Sequence, residues 1–132
     1  VVLHETLLLQ TSLFREATKY SREAVPASGG VDEAVDPATA DFLKALASET
    51  RQLVMRQFAG GGELTVGQIA ERCDLKPSTA SEHLSLLRRG GLVLSRKEGK
   101  QVFYRADGTT MAGRLDALKE YLLRCCPPGC GD

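Results

Sequence analysis

Residues 65–91 constrain the fold more than any other part of this chain. Thr65-Val66-Gly67-Gln68 fits a capping box, in which the Thr hydroxyl takes one orphan N–H and the Gln side chain reaches back to another. A short helix follows to about Cys73, and Asp74-Leu75-Lys76-Pro77 predicts a tight turn with Pro77 opening the next helix. Ala80, Leu84 and Leu87 then recur at i, i+4 and i+7 until Gly90-Gly91. Two short helices joined by a turn of about four residues, the second apolar on one side and rich in Ser and Thr on the other, make a helix-turn-helix pattern. Directly after it, Leu92-Val93-Leu94-Ser95-Arg96 and Gln101-Val102-Phe103-Tyr104-Arg105 are β-prone runs. They flank Lys97-Glu98-Gly99-Lys100, where Gly99 can take the positive φ of a hairpin loop. The fold class expected is therefore mainly α with a small β-hairpin, a winged helix-turn-helix.

The chain's 132 residues allow one compact domain of ordinary size. Upstream, Asp36-Pro37 predicts an N-cap and first helical position, with Phe42, Leu43 and Leu46 on one face. Ser48-Glu49-Thr50-Arg51 starts a further helix carrying Leu53, Val54, Gln57 and Phe58, which ends at Gly60-Gly61-Gly62. A last helix spans about residues 110–124 with Met111, Leu115, Leu118 and Leu122 as its stripe, and Pro127-Pro128 stop it. Before all of these, residues 4–24 read as an amphipathic helix on Leu9, Leu13, Ala17 and Tyr20, followed by a Pro/Gly linker. The expected organisation is an N-terminal extension over 1–35, a winged helix-turn-helix domain over 36–124 and a cysteine-rich tail over 125–132. No apolar run approaches the roughly 18–20 residues of a membrane span, so the expectation is a cytoplasmic protein with no membrane partner. Val1-Val2 in place of Met leaves open a start inside a longer product or at an alternative start codon.

Net charge is zero, 17 basic residues against 17 acidic, so a polyanion partner has to be argued from placement. Between positions 76 and 105 the basic residues are Lys76, Arg88, Arg89, Arg96, Lys97, Lys100 and Arg105, against only Glu82 and Glu98. Lys and Arg that neutralise phosphates supply most duplex affinity. The charge alone would suit an ordinary solvated face; combined with the helix pair and the basic wing it points to double-stranded DNA. Ser78, Thr79, Ser81, Glu82 and His83 occupy the first half of the second helix, where short polar side chains reach base edges and backbone N–H groups meet phosphate. Arg88 at its far end and Arg96, Lys97 and Lys100 on the wing complete the expected DNA-binding set. His83 has two readings, base contact or a half-buried helix histidine.

Four segments carry a family resemblance: Leu46-Ala47-Ser48-Glu49-Thr50-Arg51, then residues 75–87, then Gly91-Leu92-Val93, then residues 96–105. Together they resemble the ArsR/SmtB family of winged-helix transcriptional repressors, over about residues 36–124. The resemblance implies a homodimer that binds a palindromic operator and leaves it on binding a toxic metal ion or metalloid. One site type of that family, a Cys-x-Cys pair on the first helix of the helix-turn-helix, is absent, because Thr65 and Gly67 stand there. A second type uses His and carboxylates along the last helix, which here has Asp116 and Glu120 but no His, a poor set for tetrahedral zinc.

The ligands that remain are thiols. Cys125, Cys126 and Cys130 fall in the last eight residues, and some arsenic-responsive members of the family resemble this chain in a cysteine pair at the end of the last helix. Soft thiolates select thiophilic ions, so the expected inducer is arsenite or another thiophilic metal ion held by Cys125, Cys126 and Cys130. A tail whose cysteines are idle, and a redox sensor in which Cys130 closes a disulfide to Cys125 or Cys126, are the competing readings. Cys73, between Ile69 and Leu75, reads as a small core hydrophobe. A thiol reductase would want Cys-x-x-Cys opening a helix after a strand, which the chain lacks, so no enzyme is expected. A winged helix that binds protein in place of DNA would be betrayed by failure to retard any duplex at low salt.

Overall fold

The computed structural model describes residues 34–129. The element order is α1 (Pro37–Leu46), α2 (Glu49–Arg56), β1 (Leu64–Thr65), α3 (Val66–Arg72), α4 (Pro77–Arg89), β2 (Val93–Glu98), β3 (Gln101–Ala106) and α5 (Gly108–Cys125). The predicted N-terminal helix over 4–24 and Cys130 lie outside the described residues. Helix-turn-helix, wing and flanking helices all form, giving a winged helix-turn-helix.

Cap chemistry sets the helix starts. The Asp36 carboxylate accepts from the Thr39 N–H at 3.2 Å and from the Thr39 hydroxyl, and Ser48 accepts from the Arg51 N–H. At Thr65 both halves of the capping box are present, Gln68 N–H to Thr65 Oγ1 at 3.2 Å and Thr65 N–H to Gln68 Oε1 at 2.9 Å. Asp107 caps α5 through the Thr110 N–H at 3.1 Å, so this helix begins two residues before the predicted start.

Helices α3 and α4 end in the same way. After α3, Asp74 takes φ 52°, and Leu75 N–H returns to Ala70 C=O while Asp74 N–H returns to Glu71 C=O. After α4, Gly91 takes φ 81°, with Leu92 N–H on Leu87 C=O and Gly91 N–H on Arg88 C=O. Both are Schellman terminations, which satisfy the carbonyls a helix end leaves unpaired and turn the chain in one residue. The Gly90-Gly91 pair divides two tasks. A Cβ at Gly90 would stand 2.8 Å from Ala45 Cβ and 3.0 Å from Asp41 C=O, so Gly90 permits the close approach of α1, while Gly91 supplies the positive φ.

The core is Phe42, Ala45, Val54, Phe58, Leu64, Ile69, Ala70, Ala80, Leu84, Leu87, Leu92, Val93 and Tyr104. Two leucines expected on inner faces are outside it: Leu43 is 38% and Leu53 54% exposed. In α1 the i, i+3 positions Thr39, Phe42 and Ala45 turn inward instead. Cys73 packs against the core from a half-buried position, and burial raises its thiol above the ordinary range. The small hairpin is in fact two strands of a three-stranded antiparallel sheet, ordered β1-β3-β2. Leu64 pairs with Tyr104 and Thr65 with Phe103, because the extended backbone of an N-cap residue is already strand geometry. The wing loop is two residues, Gly99-Lys100, since Glu98 pairs with Gln101. Gly99 has φ 61°, as the first central position of a type II′ turn requires.

Candidate nucleic-acid interface and thiol pair

Helix α4 has two sides of different character. Ala80, Leu84 and Leu87 are fully buried, whereas Ser78, Ser81, Glu82 and Arg88 are exposed and Thr79 and His83 half-buried. The structure therefore places Ser78, Ser81 and Glu82 on one open surface at the N-terminal half of α4, with Thr79 and His83 on its flank. Lys76 immediately precedes it, and Pro77 at the first position leaves no N–H to satisfy.

The basic residues split into engaged and free. Arg96 is engaged: its Nε and Nη2 meet the Glu63 carboxylate at 2.6–2.9 Å, its Nη1 meets Glu98 at 2.6 Å, and its guanidinium lies 4.5 Å from the centre of the Phe103 ring. The fork geometry ties the loop before β1 to the wing. Those hydrogen bonds hold the Glu63 carboxyl below the usual carboxylate range and push the Arg96 guanidinium further up. Arg88 Nη1 donates to Ser95 Oγ at 3.0 Å, joining α4 to β2. Lys97 and Lys100 are exposed, Lys100 in the two-residue loop, and among the described residues neither makes an ion pair.

Arg51 was missed by sequence reasoning as more than part of a resemblance. Its Nε donates to Ala45 C=O at 2.7 Å and its Nη2 to Lys44 C=O at 2.9 Å. Its Nη1 lies 3.4 Å from His83 Nδ1. With Ala47 N–H on Leu43 C=O and Gln52 Nε2 on Leu46 C=O, all four carbonyls that end α1 are satisfied. No local pattern announces this, because the acceptors are main-chain atoms of another helix.

The cysteines close α5. Cys125 is half-buried and Cys126 exposed, with their Sγ atoms 3.4 Å apart and Cys125 Sγ 3.5 Å from Leu122 C=O. The hydrogen bond to Cys126, then burial, raise the Cys125 thiol. Two sulfurs sharing one ion, with bonds of about 2.3 Å and angles between right and tetrahedral, stand about 3.3–3.8 Å apart, so the pair fits a common ligand. Among the described residues no group of three His, Cys, Asp or Glu side chains comes together as a metal site; the third expected ligand, Cys130, is outside them. Among the described residues, too, no helix is long and apolar enough to cross a membrane.

Comparison with known proteins agrees with this architecture. A helix-turn-helix domain model matches residues 36–96. The chain is 40% identical over 77 residues to the transcriptional activator HlyU of Vibrio cholerae, covering 58% of this chain and 70% of that protein. It is 44% identical over 64 residues to the arsenical resistance operon repressor of Escherichia coli, covering 48% and 55%. Among solved structures it is similar to the homodimeric winged helix-turn-helix DNA-binding domain of a possible ArsR-family transcriptional regulator from Mycobacterium bovis. That match has 38% identity, a TM-score of 0.52, and covers 64% of this chain and 77% of that one. With the helix pair, the wing and these relatives together, the chain belongs to the ArsR family of winged helix-turn-helix DNA-binding transcriptional regulators.

Proposed function

We propose that this protein is a homodimeric repressor of a palindromic operator, released from DNA by arsenite or another thiophilic ion at its C-terminal cysteines. In the DNA-bound state the open side of α4, with Ser78, Ser81 and Glu82 on its face and Thr79 and His83 on its flank, lies in the major groove. Lys97 and Lys100 on the wing, with Arg88, meet the backbone. Arg96 contributes by holding the wing, and reaches phosphate only by leaving a carboxylate. The observation that carries this reading is the division of α4 into a fully buried Ala80/Leu84/Leu87 side and an open polar side next to a lysine-tipped hairpin. Retention of duplex DNA tests it. Ser81→Ala or His83→Ala lowers discrimination between sites, and Lys97→Ala or Lys100→Ala weakens every duplex and flattens the salt slope by about one unit. Unchanged retention across the set overturns it.

Dimerisation is assigned to α5 together with α1. Among the described residues helix α5 buries none, and Leu115 and Leu122 stand 54% and 49% exposed, which leaves an apolar stripe for a second copy; the Mycobacterium bovis relative is homodimeric. Release is a population shift: thiolate coordination favours a dimer geometry whose two α4 helices no longer match half-sites about 34 Å apart. Reversing a 1:99 equilibrium needs a preference of roughly 5.5 kcal/mol, within reach of several metal–sulfur bonds. The sensing half is supported by the 3.4 Å Cys125–Cys126 pair and by the similarity to the arsenical resistance repressor. Cys125→Ser, Cys126→Ser and Cys130→Ser each abolish release by arsenite while leaving DNA binding intact. Retained release in the Cys125/Cys126 double variant overturns the sensor, and release by peroxide without any metal favours the disulfide reading instead.

A further inference from the structure

We propose that Arg51 is a positioning residue for DNA reading, which sets His83 as a hydrogen-bond donor toward the bases. This rests on the assignment of α4 to the major groove.

The geometry points to it in three steps. First, Arg51 is held from behind: Ala45 and Lys44 carbonyls take its Nε and Nη2, so the guanidinium plane is fixed and Nη1 has one direction left. Second, that direction ends on His83 Nδ1 at 3.4 Å. A guanidinium has donors only, so Nδ1 must be the acceptor and the imidazole proton sits on Nε2. Third, Nε2 makes no hydrogen bond among the described residues, and the half-buried His83 lies one turn after Thr79 on the flank of the open face of α4.

The consequence is a choice of bases. A neutral imidazole can offer either a donor or an acceptor at Nε2. Held by Arg51 it offers a donor, which pairs with guanine O6 or N7, adenine N7 or thymine O4, and is mismatched to the N4 amine of cytosine and the N6 amine of adenine. Without Arg51 the ring is free to present either nitrogen, and the same side chain reads less. The end of α1, which holds Arg51 through two carbonyls, thereby bears on the reading surface.

The test uses the full-length protein and a duplex that the wild type selects from a random-sequence pool. Discrimination is the affinity ratio between that duplex and versions changed one base pair at a time. Arg51→Lys keeps the charge and can donate to one carbonyl, but cannot bridge three acceptors. It is expected to lower discrimination at one base pair by roughly three- to tenfold, and to have no such effect in a His83→Ala background. In a His4→Gln variant, where His83 is the only imidazole, nitrogen NMR is expected to show Nδ1 unprotonated and Nε2 protonated, moving toward the free-imidazole average on Arg51→Lys. A protonated Nδ1 in the wild type overturns the proposal. So does an equal loss for Arg51→Lys with and without His83, which marks a purely structural role. If His83→Ala changes nothing while Ser81→Ala still weakens binding, the proposal falls and the reading of α4 stands. If no duplex is selected at all, both fall.

Discussion

Helices α4 and α5 are both amphipathic in sequence, and among the described residues only one of them buries its stripe. Helix α4 buries Ala80, Leu84 and Leu87 to nothing, ends in a Schellman turn and is tied to β2 through Arg88. Helix α5 is longer, 18 residues against 13, and buries none. Apolar periodicity alone therefore does not say what a stripe packs against. It is the neighbouring chain punctuation, Pro77 before α4 and Gly90-Gly91 after it, that folds the first stripe onto its own core, while the stripe of α5 stays open among the described residues.

The sharpest way to break this contrast is a pair of truncations. Leu84→Ala is expected to cost about 2–5 kcal/mol in urea unfolding, since it empties a filled core site. Leu115→Ala should stay within about 0.5 kcal/mol for unfolding of the single chain, while Leu115→Glu should shift sedimentation toward half the dimer mass at micromolar concentration. Equal unfolding costs for Leu84→Ala and Leu115→Ala would mean that α5 is as much part of the chain's own core as α4.

The next effect tests the joint between the two helices. Gly91→Ala puts a Cβ on a residue at φ 81° and 2.8 Å from Thr110 Cγ2 at the start of α5, and is expected to cost about 1–3 kcal/mol. Asp74→Gly works in the opposite direction at the matching position after α3. It relieves a non-glycine residue at φ 52° and should stabilise by roughly 0.5–1 kcal/mol. Melting of the two variants against wild type checks both signs.

The smallest effect compares the two aspartate caps. Hydrogen bonds from Thr39 and Thr110 hold the Asp36 and Asp107 carboxyls below their ordinary value of 3.8. A depressed folded value means the stabilisation is complete above the unfolded value and is lost as pH falls through the lower folded one. Asp36→Asn keeps a capping oxygen and removes the titration, so it should flatten the acid limb for α1, and Asp107→Asn the same for α5. A limb unchanged by either variant, followed by helical circular dichroism below pH 3.8, would show that other carboxylates govern acid unfolding.

What was legible in the sequence is what short-range chemistry dictates. Caps at Asp36, Ser48 and Thr65, the proline start of α4, the glycine ends and the β-prone runs of the wing around Gly99 each need only a few adjacent residues, and each formed. Strand β1 escaped because two residues carry no period, and Thr65 was already accounted for as a cap. The exposure of Leu43 and Leu53 escaped because α1 and α2 turn Thr39 and Val54 inward, a choice made by packing. Of the candidate site, the α4 face could be placed in advance. The capture of Arg96 by Glu63, 33 positions away, and the grip of Arg51 on His83, 32 away, depend on contacts that exist only after folding.

The separation of sides on α4 bears on how such a regulator can acquire new targets. Ser78, Ser81 and Glu82 are exposed while Ala80, Leu84 and Leu87 are buried, so, if α4 reads DNA as proposed, a library randomised at those three positions would sample new operators with little loss of folded protein. A lineage could drift in the same way, one base preference at a time. His83 is the exception. Under the role proposed for Arg51, which meets it from another helix, changing what His83 reads would mean changing two residues at once, a linkage that would slow the evolution of that letter of the binding site.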